Sequence, residues 1–241
     1  MATGEILVPR SHDAREPGAT SAQTVEHGVT FALAETVVMS SDPSGLAAES
    51  LRVLRTHLLT QHVREGRRGM AVCSPTPGVG CTTVAVNLAV ALAQAGVRTL
   101  LIDGDLRHPA VHKFVMPSRE VPGLQQCLTG PTVALADAIQ DEVLPNLSVL
   151  YAGGRSHQAQ ELLSSARFRD LANSCMRDYD LTIIDTPPAN SSADARQVSS
   201  VFSYALLVVG RNRTFVADVK TLAEELQADH ARIVGVALRD S

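Results

Sequence analysis

Ser74-Pro-Thr-Pro-Gly-Val-Gly-Cys-Thr-Thr83 follows a short apolar run, Met70-Ala-Val-Cys73, and opens a long Ala/Val/Leu segment that ends at Gly96. A strand, a glycine-rich turn and a helix in that order make a phosphate-binding loop. Gly78 and Gly80 let backbone N–H groups turn towards an anion at the helix N-terminus, and Thr82 offers a hydroxyl to Mg2+. Pro77, Val79 and Thr83 complete the binding segment. The position that such loops fill with lysine is Cys81. The frame of a nucleotide site is present without its main cation.

Outward from the loop, apolar strands alternate with helices. Strands are expected at 70–73, 99–103, 147–151, 181–185, 204–209 and 232–238. Helices are expected at 81–95, 109–116, 121–128, 133–140, 159–176, 192–201 and 214–228. Continuous apolar strands separated by helices imply an α/β fold, a mostly parallel sheet with helices on both faces. One more helix should follow the turn at Asp42-Pro-Ser-Gly45, where Leu46, Leu51, Leu54, Leu58 and Leu59 fall at roughly helical spacing. Residues 1–40 are expected to form a flexible arm, with periodicity weakest over residues 1 to about 30, and residues 41–241 a single domain.

Carboxylates end two of the expected strands. Leu100-Leu-Ile-Asp-Gly-Asp105 carries Asp103 and Asp105 two residues apart, which in an extended backbone directs both to one side. Leu181-Thr-Ile-Ile-Asp185 ends in Asp185. In a doubly wound sheet the C-terminal ends of the strands line the ligand crevice. Acidic groups there, beside a glycine loop, suit Mg2+ held between protein and the phosphates of ATP or ADP.

Composition narrows the alternatives. The chain is 45% hydrophobic with 3% aromatic residues, so its core is mostly Ala, Val and Leu. A net charge of −4, with 19 Arg and only Lys113 and Lys220, gives no support to a nucleic-acid partner. No secretory leader pattern and no apolar run of membrane-spanning length is visible. Cys73, Cys81, Cys127 and Cys175 lack metal or disulfide spacing and read as reduced thiols of a cytoplasmic protein. Cys81 has two readings: a thiol acidified by the helix N-terminus and open to redox chemistry, or a small residue tolerated where lysine is gone.

The three segments, in this order, resemble the bacterial tyrosine kinase (BY-kinase) family, the cytoplasmic P-loop kinases of capsule and exopolysaccharide assembly. The resemblance runs over residues 42 to 239. Pro77-Gly-Val-Gly80 with Asn87-Leu-Ala89 matches the family's Walker A loop apart from the lysine. Ile102-Asp-Gly-Asp-Leu-Arg-His-Pro109 and Ile183-Ile-Asp-Thr-Pro-Pro188 match its two acidic motifs. Glu49-Ser-Leu-Arg-Val-Leu-Arg55 matches the ExxRxxR helix through which these kinases form rings, although on spacing alone Glu49, Arg52 and Arg55 read as a solvated helix face.

The resemblance implies a P-loop NTPase fold of the MinD/ParA/BY-kinase type. It implies that Thr82 and Asp185 hold Mg2+, and that Asp103 accepts a proton from a tyrosine hydroxyl or sits beside the metal, supported by Asp105. It implies a homo-oligomeric ring through Glu49, Arg52 and Arg55, and a separate membrane polysaccharide co-polymerase or adaptor that recruits the chain to the inner face of the membrane. Two departures stand against full activity: Cys81, and the missing C-terminal tyrosine cluster, since only Tyr151, Tyr179 and Tyr204 are present. The expectation is a regulatory or scaffolding pseudokinase that binds nucleotide weakly. The alternatives are an active tyrosine kinase in which Arg107, or a neighbour's Arg52 or Arg55, replaces the lysine, and a MinD/ParA-like positioning ATPase.

Overall fold

The computed structural model describes residues 29–130 and 133–240, so residues 1–28 of the expected arm lie outside the described residues. The chain begins with β1 (Phe31–Leu33), α1 (Val38–Ser41) and α2 (Leu46–Gln61). Then come β2 (Gly69–Cys73), α3 (Cys81–Gln94), β3 (Thr99–Asp103) and β4 (Val115–Pro117). The middle holds α4 (Leu124–Thr129), α5 (Leu135–Ala138), β5 (Gln140–Leu144) and β6 (Leu147–Leu150). The last part runs α6 (Ala159–Ser164), α7 (Ala166–Asp178), β7 (Leu181–Asp185), α8 (Asp194–Phe202), β8 (Tyr204–Gly210), α9 (Val216–Ala228) and β9 (Arg232–Arg239).

Seven strands form one sheet in the order β5-β6-β3-β7-β2-β8-β9, parallel except for β5 at one edge. Side chains alternate across each strand and build two cores. Met70, Val72, Leu101 and Ile183 face α2 and α3 in one. Ala71, Cys73, Leu100, Ile102 and Ile184 face α4, α6, α7, α8 and α9 in the other. The sheet is therefore covered on both faces, as the unbroken apolar strands require.

The expected helix at 109–116 is not formed. Asp103 takes the backbone N–H groups of Ala110 and Val111, leaving only a short 3-10 turn at Val111–Lys113. The backbone then pairs as β4 with β1, Val115 opposite Leu33. That pairing, with Val37 and Met39 in the core, shows that residues 29–40 belong to the fold rather than to an arm. The expected helix 133–140 shrinks to α5 and passes into β5, whose Gln140, Asp141 and Glu142 hid a strand behind polar side chains. The expected helix 159–176 divides at Ser165, which is extended and accepts the Phe168 N–H as the cap of α7.

Candidate nucleotide site

The phosphate loop runs from the end of β2 into the first turn of α3. Gly78 and Gly80 sit at φ 74° and 86°, a left-handed backbone that residues with a Cβ adopt only under strain. That conformation turns successive N–H groups to one side ahead of the helix, the arrangement an anion needs. Neighbouring strand ends hold the loop. Ala189 and Asn190, just after β7, donate to the carbonyls of Ser74 and Pro75 at 2.8 and 3.0 Å. The Thr76 and Thr214 hydroxyls share a hydrogen bond of 3.1 Å.

Thr82 and Asp185 meet as expected: the Thr82 hydroxyl donates to Asp185 Oδ2 at 2.6 Å. Asp185 Oδ1 is buried with no hydrogen-bond partner among the described residues. Asp103 is the register partner of Asp185 on the adjacent strand. Burial lifts Asp185 to about 8, helped by the Asp103 charge, and lifts Asp103 to about 7 against the pull of its backbone donors. Two buried acids beside an unsatisfied oxygen fit a divalent cation, which would replace their protons. No group of three or more His, Cys, Asp or Glu residues is placed to hold a metal among the described residues, so Mg2+ would need the Thr82 hydroxyl and phosphate oxygens to complete its ligands.

Asp103 and Asp105 do not act as a matched pair on one face. Asp103 accepts three backbone N–H groups, those of Asp105, Ala110 and Val111. Asp105 accepts those of Arg107 and His108. The strand ends at Asp103, so the extended geometry needed to align the two is lost at Gly104. Together these carboxylates shape the loop 104–111. A cavity of about 920 Å3 opens beyond that loop, bordered by Lys113, Arg119, Tyr151 and Arg155 and not by the phosphate loop.

Cys81 points inward. Its Sγ donates to the Val72 carbonyl at 3.2 Å, an oxygen that also accepts from Thr186. Burial, together with the Asp185 charge, pushes the thiol well above its usual range, opposite to the acidification expected at a helix N-terminus. The acidification on which the redox reading of Cys81 rests is opposed by this environment. Arg107 is no stand-in for lysine, because Nε and Nη2 grip the buried Asp194 carboxylate at 2.6 and 3.3 Å.

Two arginines that the sequence reading did not single out lie at the loop. Arg213, in the turn after β8, donates from Nη1 to the Gly78 carbonyl at 3.2 Å. Arg239, at the end of β9, rests its guanidinium against Gly80, where a methyl group would overlap it. The two residues lie more than 130 positions from the loop, and no spacing pattern in the sequence marks them.

The three residues of the α2 stripe are placed unevenly. Arg52 pairs with Glu49 at 3.0 Å and also donates to the Pro43 carbonyl. Arg55 reaches the Ala91 carbonyl on α3 at 3.5 Å and buries an unpartnered Nε. The stripe is thus partly spent inside the subunit, while Leu46 and Val53 on the same helix stand 89% and 65% exposed.

A family model described as an AAA domain matches residues 68–216. The tyrosine-protein kinase YwqD of Bacillus subtilis (strain 168) is 32% identical over 202 residues, 84% of this chain and 84% of that protein. The chain belongs to the bacterial tyrosine kinase (BY-kinase) family. Among solved structures, the chimerical protein CapA2B2 superposes with a TM-score of 0.77 at 30% identity, covering 86% of this chain and 90% of that one. The kinase domain of Escherichia coli tyrosine kinase ETK gives 0.76 at 28% identity, over 85% of this chain and 79% of that one. The fold is the P-loop NTPase fold of this family. EpsB of Ralstonia solanacearum is 32% identical over 194 residues, and the chain spans about a quarter (26%) of its length. No helix among the described residues is long and apolar enough to cross a membrane.

Proposed function

We propose that this BY-kinase-fold chain is a regulatory or scaffolding pseudokinase of capsular or exopolysaccharide biosynthesis that binds Mg–ATP or Mg–ADP weakly. In this reading it assembles as a homo-oligomer through α2 and works on a separate membrane chain-length protein, at the cytoplasmic face of the membrane. The observation that carries it is Cys81, turned towards the Val72 carbonyl in the position of the missing lysine. The loop amides, Thr82 and Asp185 support retained binding of a nucleotide and its metal.

When bound, Mg2+ would neutralise charge on the β- and γ-phosphate oxygens. Thr82 and Asp185 would hold it, with Asp103 alongside. The loop amides from Gly78 to Thr82 would orient the phosphates. Transfer of the γ-phosphoryl would lack the lysine that follows the developing charge, a loss worth about 10²–10³ in rate. Both Asp103 oxygens are engaged with backbone N–H groups, which favours a structural role over proton abstraction from a substrate. The chain's own tyrosine hydroxyls are also poorly placed as acceptors. Tyr151 is buried and donates to the Val115 carbonyl, and Tyr179 donates to Asp141. Tyr204 lies against His62 and Arg67.

Calorimetric titration of Mg–ATP and Mg–ADP, paired with phosphotransfer assays, tests this reading. Wild type is expected to bind measurably, Cys81→Lys about 10-fold more tightly, and neither to phosphorylate at the rate of a competent kinase. Strong tyrosine phosphorylation by wild type that disappears in Asp103→Ala would replace the pseudokinase reading with the active-kinase one.

A further inference from the structure

Resting on the nucleotide-binding reading above, we propose that Arg239 is the cation of this phosphate loop, which Arg213 holds through the Gly78 carbonyl, and that it takes over the phosphate contact that lysine at position 81 would make. Four other cations among the described residues are engaged or line another cavity. Arg107 is bound to Asp194, Arg52 to Glu49, and Lys220 to Glu224 on α9. Lys113 lines the large cavity beyond the 104–111 loop.

Arg213 and Arg239 reach the loop from the side of β8 and β9. With Gly78, Val79, Gly210 and Asp240 they border a cavity of about 190 Å3 beside it. The Asp240 carboxylate, which borders the same cavity, pairs with Arg211 at 3.5 Å. Arg213 fixes the loop through the Gly78 carbonyl. Arg239 is exposed and, among the described residues, its guanidinium makes no hydrogen bond or ion pair.

Positions 80 and 81 fit one another. Gly80, a glycine the loop requires for its left-handed backbone, has no Cβ, and the space this leaves is taken by the Arg239 guanidinium. Position 81 has a short thiol folded towards the Val72 carbonyl, which leaves the cradle without its own charge. A guanidinium keeps its charge at every relevant pH and binds phosphate through paired N–H groups. Being held on the rim by a strand end, it serves affinity for bound phosphate better than it follows a phosphoryl group in transfer.

The test is calorimetric titration of Mg–ADP, pyrophosphate and adenosine into wild type, Arg239→Ala, Arg239→Lys, Cys81→Lys and the double variant Arg239→Ala/Cys81→Lys. Circular dichroism checks that each variant is folded. Arg239→Ala should weaken Mg–ADP and pyrophosphate by about 10- to 100-fold and leave adenosine unchanged. Arg239→Lys should recover part of the loss. Cys81→Lys should tighten Mg–ADP about 10-fold in the wild-type background but about 100-fold in the Arg239→Ala background, because the two cations answer the same phosphate. If wild type binds Mg–ADP and Arg239→Ala binds it equally well or more tightly, this assignment falls while the nucleotide-binding reading stands. If wild type binds neither Mg–ADP nor pyrophosphate, both fall.

Discussion

Asn87 is the polar side chain in the buried middle of α3, and its three hydrogen bonds all go to backbone. Its Oδ1 accepts the Met39 N–H at 3.3 Å, while Nδ2 donates to the carbonyls of Thr36 and Thr83 at 3.0 and 2.9 Å. It thus ties the segment before α2 to the helix that begins at the phosphate loop. Asn87→Leu takes this partner from the Met39 N–H and the Thr36 carbonyl and should cost about 1–3 kcal/mol in urea unfolding, although the substitution is apolar and the site is buried. Asp185 and Asp103 govern a pH effect. Their folded values of about 8 and 7 lie above the ordinary carboxylate value of 3.8, so the folded state keeps protons that the unfolded state releases. Stability should therefore fall as pH rises from 5.5 to 8 without Mg2+. Thermal melts should show that slope flattened in Asp185→Asn and opposed by Mg–ADP. At this scale Gly78, Gly80, Thr82 and Asp185 were legible because their chemistry is local and spaced by rule. Arg213 and Arg239 were not, because only the closing of the sheet brings them to the loop.

Among elements, the loop 104–111 shows how a motif can be recognised and its geometry misread. Ile102-Asp-Gly-Asp105 is legible as a strand end with acids, but which atoms those acids bind is fixed by the chain that follows. The loop is also pinned from outside, Arg107 to Asp194 at the start of α8, where the carboxylate is 1% exposed. Arg107→Ala strands that buried charge and should destabilise by about 2 kcal/mol, a figure reduced from fully buried pairs because the arginine is partly solvated. Limited proteolysis should then cut within 104–114 ahead of the rest of the fold. The regular strands were readable from their apolar runs, since burial on both faces leaves no alternation to mistake. β1, β4 and β5 escaped because they are short or polar and exist only through pairing with distant partners.

For the molecule as a whole, the alternation of side chains across the sheet commits each face to its own helical layer, and α2 forms the outer surface of one. The exposed Leu46 and Val53 lie on that surface, beside the Glu49–Arg52 pair. If α2 mediates assembly, Val53→Glu should shift the mass measured by light scattering towards the monomer without lowering the melting temperature. Arg55→Ala should instead destabilise the subunit, since Arg55 is half-buried against α3. Fold class was readable at this scale because strand and helix alternation is a global pattern. The arm boundary was not, because residues 29–40 gain their place from contacts with α3 and β4. The sheet also ends in β9, an edge strand whose pairing with β8 slips between Ala205 and Leu206 and whose outer residues Val236 and Leu238 face solvent. An edge strand is where a sheet frays first. Arg239 is its last residue, so a polyphosphate held by that guanidinium would slow amide hydrogen exchange along β9, and fraying of the strand would in turn loosen the ligand.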